Sequence, residues 1–76
     1  MVLEQLLDLI AEMFHLDAED LSEDTSFEDL GAEDMDIAEL VLAVEDAFDM
    51  DISTEEANGL RTVADLLDLV EAAIGQ

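Results

Sequence analysis

The side chains able to do chemistry in this sequence are almost all carboxylates. The run Asp49-Met-Asp51-Ile-Ser53-Thr-Glu55 sets oxygen donors at alternate positions, in the manner of the start of a calcium loop. Such a loop requires glycine at its sixth position and glutamate at its twelfth. Here those positions hold Thr54 and Leu60, which excludes an EF-hand. Weak divalent-ion binding by clustered carboxylates and plain counterion condensation both stay open. Paired carboxylates are so numerous that their spacing carries no information about glycosidase-type chemistry. His15 is the single imidazole, with no Ser or Cys partner foreseeable, and reads as a cap interacting with the dipole at a helix C-terminus. The absence of cysteine excludes disulfides, thiolate metal sites and a Cys nucleophile. The expectation is a protein with no catalytic residue and no dedicated metal site.

Charge narrows the partners. The chain has 23 acidic residues against one arginine, Arg61, for a formal net charge of −22. Such a surface repels nucleic acid, whose phosphates need Lys and Arg, and it repels anionic membranes. It attracts basic protein surfaces at long range. Met1–Phe14 is amphipathic and acidic, unlike a signal peptide, and no segment reaches the apolar length of a membrane span. A monomer in the cytoplasm is expected. With 76 residues there is material for one domain, 1–76, that buries roughly 60% of its unfolded surface. That leaves no space for a deep substrate cavity.

The elements that must position these groups are helices. Proline is absent, and the three glycines (31, 59 and 75) lie outside the periodic stretches. Leu3, Leu6, Leu7, Ile10, Met13 and Phe14 recur at helical steps and predict a helix over about 2–15. A long connection from Leu16 to about Glu33 follows, with Leu16, Leu21, Phe27 and Leu30 expected to pin it to the bundle. The second helix is predicted from Asp34 or Met35 to Phe48, with Ile37, Leu40, Val41, Val44 and Phe48 inward. Its first turn is acidic, which complements the dipole. Ser53 with Glu56 reads as a capping box opening a short helix that ends at Asn58–Gly59. Thr62 with Asp65 opens the last helix, whose inward residues are Val63, Leu66, Leu67, Val70 and Ile74, and Gly75 ends it.

One feature of the second helix is left over by this packing. Met35, Ala38 and Leu42 step by three and four on the side away from the core stripe, with Glu39, Glu45 and Asp46 nearby. Either Met35 tucks under the long loop and Leu42 is ordinary surface, or this is a docking patch. An apolar strip ringed by carboxylates suits a partner with a basic groove.

Two stretches carry a family resemblance. Ser26-Phe27-Glu-Asp-Leu30-Gly31-Ala32-Glu33-Asp34-Met35-Asp36 is followed by Glu39-Leu-Val-Leu-Ala-Val-Glu-Asp-Ala-Phe48. Together they resemble the acyl carrier protein family, in which Leu-Gly-Ala/Gly-Asp-Ser-Leu-Asp opens the second helix and Glu-Leu-Val-x-x-x-Glu-x-x-Phe continues it. The likeness runs on through Ile52, the short helix and Thr62-Val63. It implies an all-α four-helix bundle with a long first loop, a short third helix and no enzymatic activity. It also implies partners among fatty-acid, lipid or polyketide synthesis enzymes that grip the second helix with basic patches. The docking positions matched in this way are Met35, Asp36, Ala38, Glu39, Leu42, Glu45 and Asp46.

One departure cuts against that likeness. The family attaches 4′-phosphopantetheine to the motif serine, and the matching residue here is Asp34, preceded by Glu33 in place of Asp. A carboxylate lacks the nucleophilic hydroxyl that forms the phosphodiester. Ser22, Ser26 and Ser53 lack the motif around them. The reading is therefore an acyl-carrier-like docking protein with no cofactor as written. The alternative is a genuine carrier whose serine has been substituted at position 34. A divalent-ion buffer and a nucleic-acid mimic are kept as readings of other classes, and the resemblance weighs against both.

Overall fold

A computed structural model describes residues 1–75. Four helices follow in order: α1 (Val2–Phe14), α2 (Asp34–Phe48), α3 (Thr54–Asn58) and α4 (Val63–Ile74). The core forms where the apolar stripes of α1, α2 and α4 converge. Leu6 and Ile10 of α1, Leu40 and Val44 of α2, and Val63, Leu66 and Val70 of α4 are fully buried. No polar side chain among the described residues is buried, so the interior is held by apolar burial alone.

Helix boundaries follow local chemistry. His15 ends α1 and Asp49 ends α2 by adopting left-handed backbone, at φ 59° and 51°. Each then donates its N–H to a carbonyl one turn back, Ala11 or Glu45. Both predicted capping boxes are present. The Ser53 hydroxyl accepts from the Glu56 N–H at 3.1 Å, and Glu56 accepts from the Ser53 N–H at 2.9 Å. Thr62 and Asp65 do the same for α4, at 3.4 and 3.1 Å. Gly75 closes α4 at φ 80°. Gly59 departs from expectation: its φ is −87°, so α3 ends in a tight turn that needs no left-handed residue.

The long connection is more structured than its sequence suggests. It contains a turn of 3-10 helix, Ala18–Asp20, and its second half is stitched to the start of α4. Phe27 donates its N–H to the Arg61 carbonyl at 3.0 Å. The Val63 and Ala64 N–H groups donate back to the carbonyls of Thr25 and Glu23, at 3.0 and 2.8 Å. Loop carbonyls thus satisfy first-turn amides that a helix leaves without an internal partner.

Of the four apolar residues expected to pin this loop, Leu21 and Phe27 are buried and Leu30 is half-buried. Leu16 is not a pin. The left-handed turn at His15 swings it outward, where it is 40% exposed. Ile74, expected to face inward, is also exposed because it lies at the last turn of α4, past the end of the core.

Candidate functional site

The site is built around the N-terminus of α2. A turn over residues 26–32 brings the chain there: Leu30, Gly31 and Ala32 donate their N–H groups to the carbonyls of Phe27, Glu28 and Phe27 in turn. Gly31 takes φ 75°, a conformation costly for a side chain. Phe27 holds the base of this turn in the core. Glu33 then serves as the N-cap, its own N–H donating to the Asp36 carboxylate at 2.9 Å. Asp34 is the first helical residue and is exposed.

The residues expected to dock a partner divide into two groups. Met35, Ala38, Glu39, Leu42 and Asp46 are exposed, with Met35 at 71% and Leu42 at 65%. Met35 therefore does not tuck under the long loop. Asp36 and Glu45 are half-buried and already occupied. Asp36 holds the Glu33 N–H, while Glu45 accepts from the Ile52 N–H at 2.8 Å, across the turn that leaves α2.

Helical spacing alone did not reveal the groove beside this face. It has a volume of about 540 Å³ and lies between α2 and α3. Ile37, Val41 and Glu45 line the α2 side, and Ile52, Ala57 and Leu60 line the other. Asp34 and Arg61 also border it. The signal was present in the four-residue step from Ile37 to Val41 to Glu45, an apolar ladder that finishes on a carboxylate. Arg61 is held in place by backbone: its Nη1 donates to the Asn58 and Leu60 carbonyls, at 3.1 and 3.2 Å.

The remaining candidates do not gather into a reactive centre. His15 lies at the C-terminus of α1, as a backbone cap with an exposed side chain. The hydroxyls of Ser22, Ser26 and Ser53 each accept from a backbone N–H two or three residues on, from Asp24, Glu28 and Glu56. Among the described residues no group of three or more His, Cys, Asp or Glu side chains is placed to hold a metal ion. No helix among them is long and apolar enough to cross a membrane.

Comparison with known proteins gives this geometry a context. Residues 4–70 match the family described as "Phosphopantetheine attachment site". The acyl carrier protein of Clostridium acetobutylicum is 38% identical over 73 residues, covering 95% of each chain. That of Prochlorococcus marinus is 36% identical over 75 residues, or 97% of this chain and 94% of the relative. The crystal structure of the acyl carrier protein from Thermotoga maritima superposes with a TM-score of 0.81 at 31% identity. It covers 93% of this chain and 84% of that one.

Proposed function

The chain belongs to the acyl carrier protein family, a family of carrier proteins and not of enzymes, and from that premise we propose a docking role without a carrier arm. In this reading it engages enzymes of fatty-acid, lipid or polyketide biosynthesis through α2 but cannot hold 4′-phosphopantetheine in its present form. The observation that carries it is Asp34, exposed at the first position of α2, where the family motif has its serine.

The residues present do not fit the cofactor. Attachment needs a hydroxyl as nucleophile, and the Asp34 carboxylate has none. The three nearest candidates in character, Ser22, Ser26 and Ser53, are engaged in local turns or in the cap of α3. What supports docking is the exposed pair Met35 and Leu42 with Glu39 and Asp46 beside them. Asp36, Ala38 and Glu45 complete the proposed face. A partner's basic side chains would be steered by the net charge of −22, and the apolar pair would supply short-range affinity. The same charge disfavours nucleic acid and anionic membranes as partners, and we take the working unit to be a cytoplasmic monomer.

Mass spectrometry after incubation with coenzyme A and a broad phosphopantetheinyl transferase tests the loss of attachment. The expected mass is unchanged. A gain mapped to Ser22, Ser26 or Ser53 overturns the proposal. A second reading, a genuine carrier whose serine has been substituted, is favoured by the family match across residues 4–70, which spans the start of α2. It requires that Asp34→Ser be modified under the same conditions. Failure of that variant would count against an intact recognition surface, with Glu33 the first residue to suspect.

A further inference from the structure

Of the three glycines, Gly31 and Gly75 take left-handed backbone and Gly59 does not. A Cβ built at Gly59 would meet only the Glu56 and Glu55 carbonyls, at 3.6 and 3.7 Å. Both are ordinary contacts, so neither backbone conformation nor space requires a glycine there. What Gly59 does is follow Asn58, the single asparagine of the chain. With no side chain on the next residue, little shields an asparagine amide from attack by the backbone nitrogen that follows it.

The fold leaves this pair within reach of water. Asn58 is the last residue of α3, and both it and Gly59 are exposed. The Gly59 N–H donates to the Glu56 carbonyl at 3.2 Å, so the nitrogen must leave that bond before it can react. Little opposes its release, because α3 has five residues, buries none of them, and needs only to unwind at its end. On the other side, Arg61 Nη1 donates to the Asn58 main-chain carbonyl at 3.1 Å. A cationic donor on that oxygen draws electrons from the carbonyl carbon.

We propose that Asn58–Gly59 is a site of spontaneous backbone modification whose product is directed by Arg61. The Gly59 nitrogen, having given its proton to hydroxide, attacks Cγ of Asn58. The N–Cγ bond forms and the Cγ–Nδ2 bond breaks, and Nδ2 takes a proton from water and leaves as ammonia. A five-membered imide remains, which water opens at either carbonyl. Opening at Cγ gives aspartate. Opening at the main-chain carbonyl carbon, whose oxygen Arg61 holds, leaves Gly59 joined through Cγ and gives isoaspartate. The held oxygen then belongs to a new carboxylate, so negative charge forms where the chain's one arginine pairs with it. Overall, amide and water become carboxylate and ammonium, with no redox step. The new linkage adds one main-chain carbon, roughly 1.5 Å of chain, between α3 and the buried Leu60. It is a lasting change in the wall of the groove to which Ala57, Leu60 and Arg61 belong.

Peptide mapping by mass spectrometry tests the site on the full chain, aged in buffer at neutral and at mildly alkaline pH. The expected product is a gain at Asn58 of the mass that turns an amide into an acid, accumulating faster at the higher pH. Isoaspartyl methyltransferase should label most of it. Gly59→Ala suits the observed backbone, should keep the helical circular dichroism of the parent, and should lose nearly all of the modified species over the same interval. Arg61→Gln should be modified to the same extent, with the product shifted from isoaspartate toward aspartate. An unmodified Asn58 in the folded parent overturns the site, and so does equal modification of Gly59→Ala. An unchanged isoaspartate share in Arg61→Gln overturns the direction by Arg61 and leaves the site standing. None of these results depends on what α2 binds.

Discussion

The helices α1, α2 and α4 and the short helix α3 are held by different physics. The first three contribute three, three and four buried residues each, all apolar. Their positions follow from burial, which is non-directional and summed over many contacts. Helix α3 contributes none: buried Ile52 and Leu60 flank it, half-buried Ala57 packs against the core, and directional bonds add the rest, with the Glu45–Ile52 bond before it and Arg61 on the Asn58 and Leu60 carbonyls after it. Bonds of that kind can be exchanged for others without unfolding the bundle. The groove lies along the seam between the two regimes, and so does the proposed docking face.

The sharpest contrast is expected from core truncation. Leu40→Ala, at a fully buried site of α2, should cost about 2–5 kcal/mol in chemical denaturation and weaken every helix together. Val41→Ala removes less volume from a slightly less buried site and should cost roughly 0.5–2 kcal/mol. If α3 amides survive conditions that unfold α1 and α4, the division between regimes is wrong.

The two capping boxes provide the next comparison, because their chemistry is alike and their surroundings are not. Thr62→Ala should lower global stability by about 1 kcal/mol, since α4 is integral to the core. Ser53→Ala removes a similar cap, yet should barely move the unfolding midpoint and instead raise exchange within α3. Equal losses of global stability in the two variants would mean that α3 unfolds only with the rest.

Salt should act on both regions but more on α3. Asp49, Asp51, Glu55 and Glu56 crowd its approach and first turn, all exposed. At about 1 M sodium chloride the screening length is roughly 3 Å, short enough to quench repulsion among them. Thermal melts at pH 7 should shift upward with salt, and exchange at α3 should slow more than exchange at α1. Unchanged melts would show that the charges are spread too widely to matter.

The smallest effect on stability is expected on the outer face of α2. Glu39→Lys and Leu42→Ala should each stay within about 0.5 kcal/mol of the parent, because both side chains are exposed. Their effects belong to binding. Against a partner enzyme, surface plasmon resonance should show Glu39→Lys slowing association, most at low salt, and Leu42→Ala speeding dissociation with little salt dependence. If both bind like the parent, α2 is not the docking face.

Much of this was legible before any coordinates. The periodicity of Leu6 and Ile10, of Leu40 and Val44, and of Leu66 and Val70 located three helices, and Ser53 and Thr62 located the starts of α3 and α4. The departure proposed at Asp34 was read from the motif around it alone. Less legible were Leu16 and Ile74, whose apolar character suggested burial that the ends of α1 and α4 do not provide. Asp36 and Glu45 were read as docking carboxylates, and the sequence did not show that each also carries a backbone hydrogen bond. Nothing in a single sequence distinguishes a carboxylate facing water from one turned onto an N–H seven residues away.

Local rules decided what the sequence could determine by itself. Helical period, capping chemistry and the sign of the charge are set by residues within about one turn of each other, so no knowledge of the fold is required. The groove, the stitching of residues 23–27 onto the start of α4, and the grip of Glu45 on Ile52 were left to tertiary structure. Each depends on how far apart the packed apolar stripes hold the backbone, a distance fixed by side-chain volumes summed across the core. Burial does not specify where a polar bond will form. It brings donors and acceptors within reach, and only then does the Glu45 carboxylate have an amide to hold.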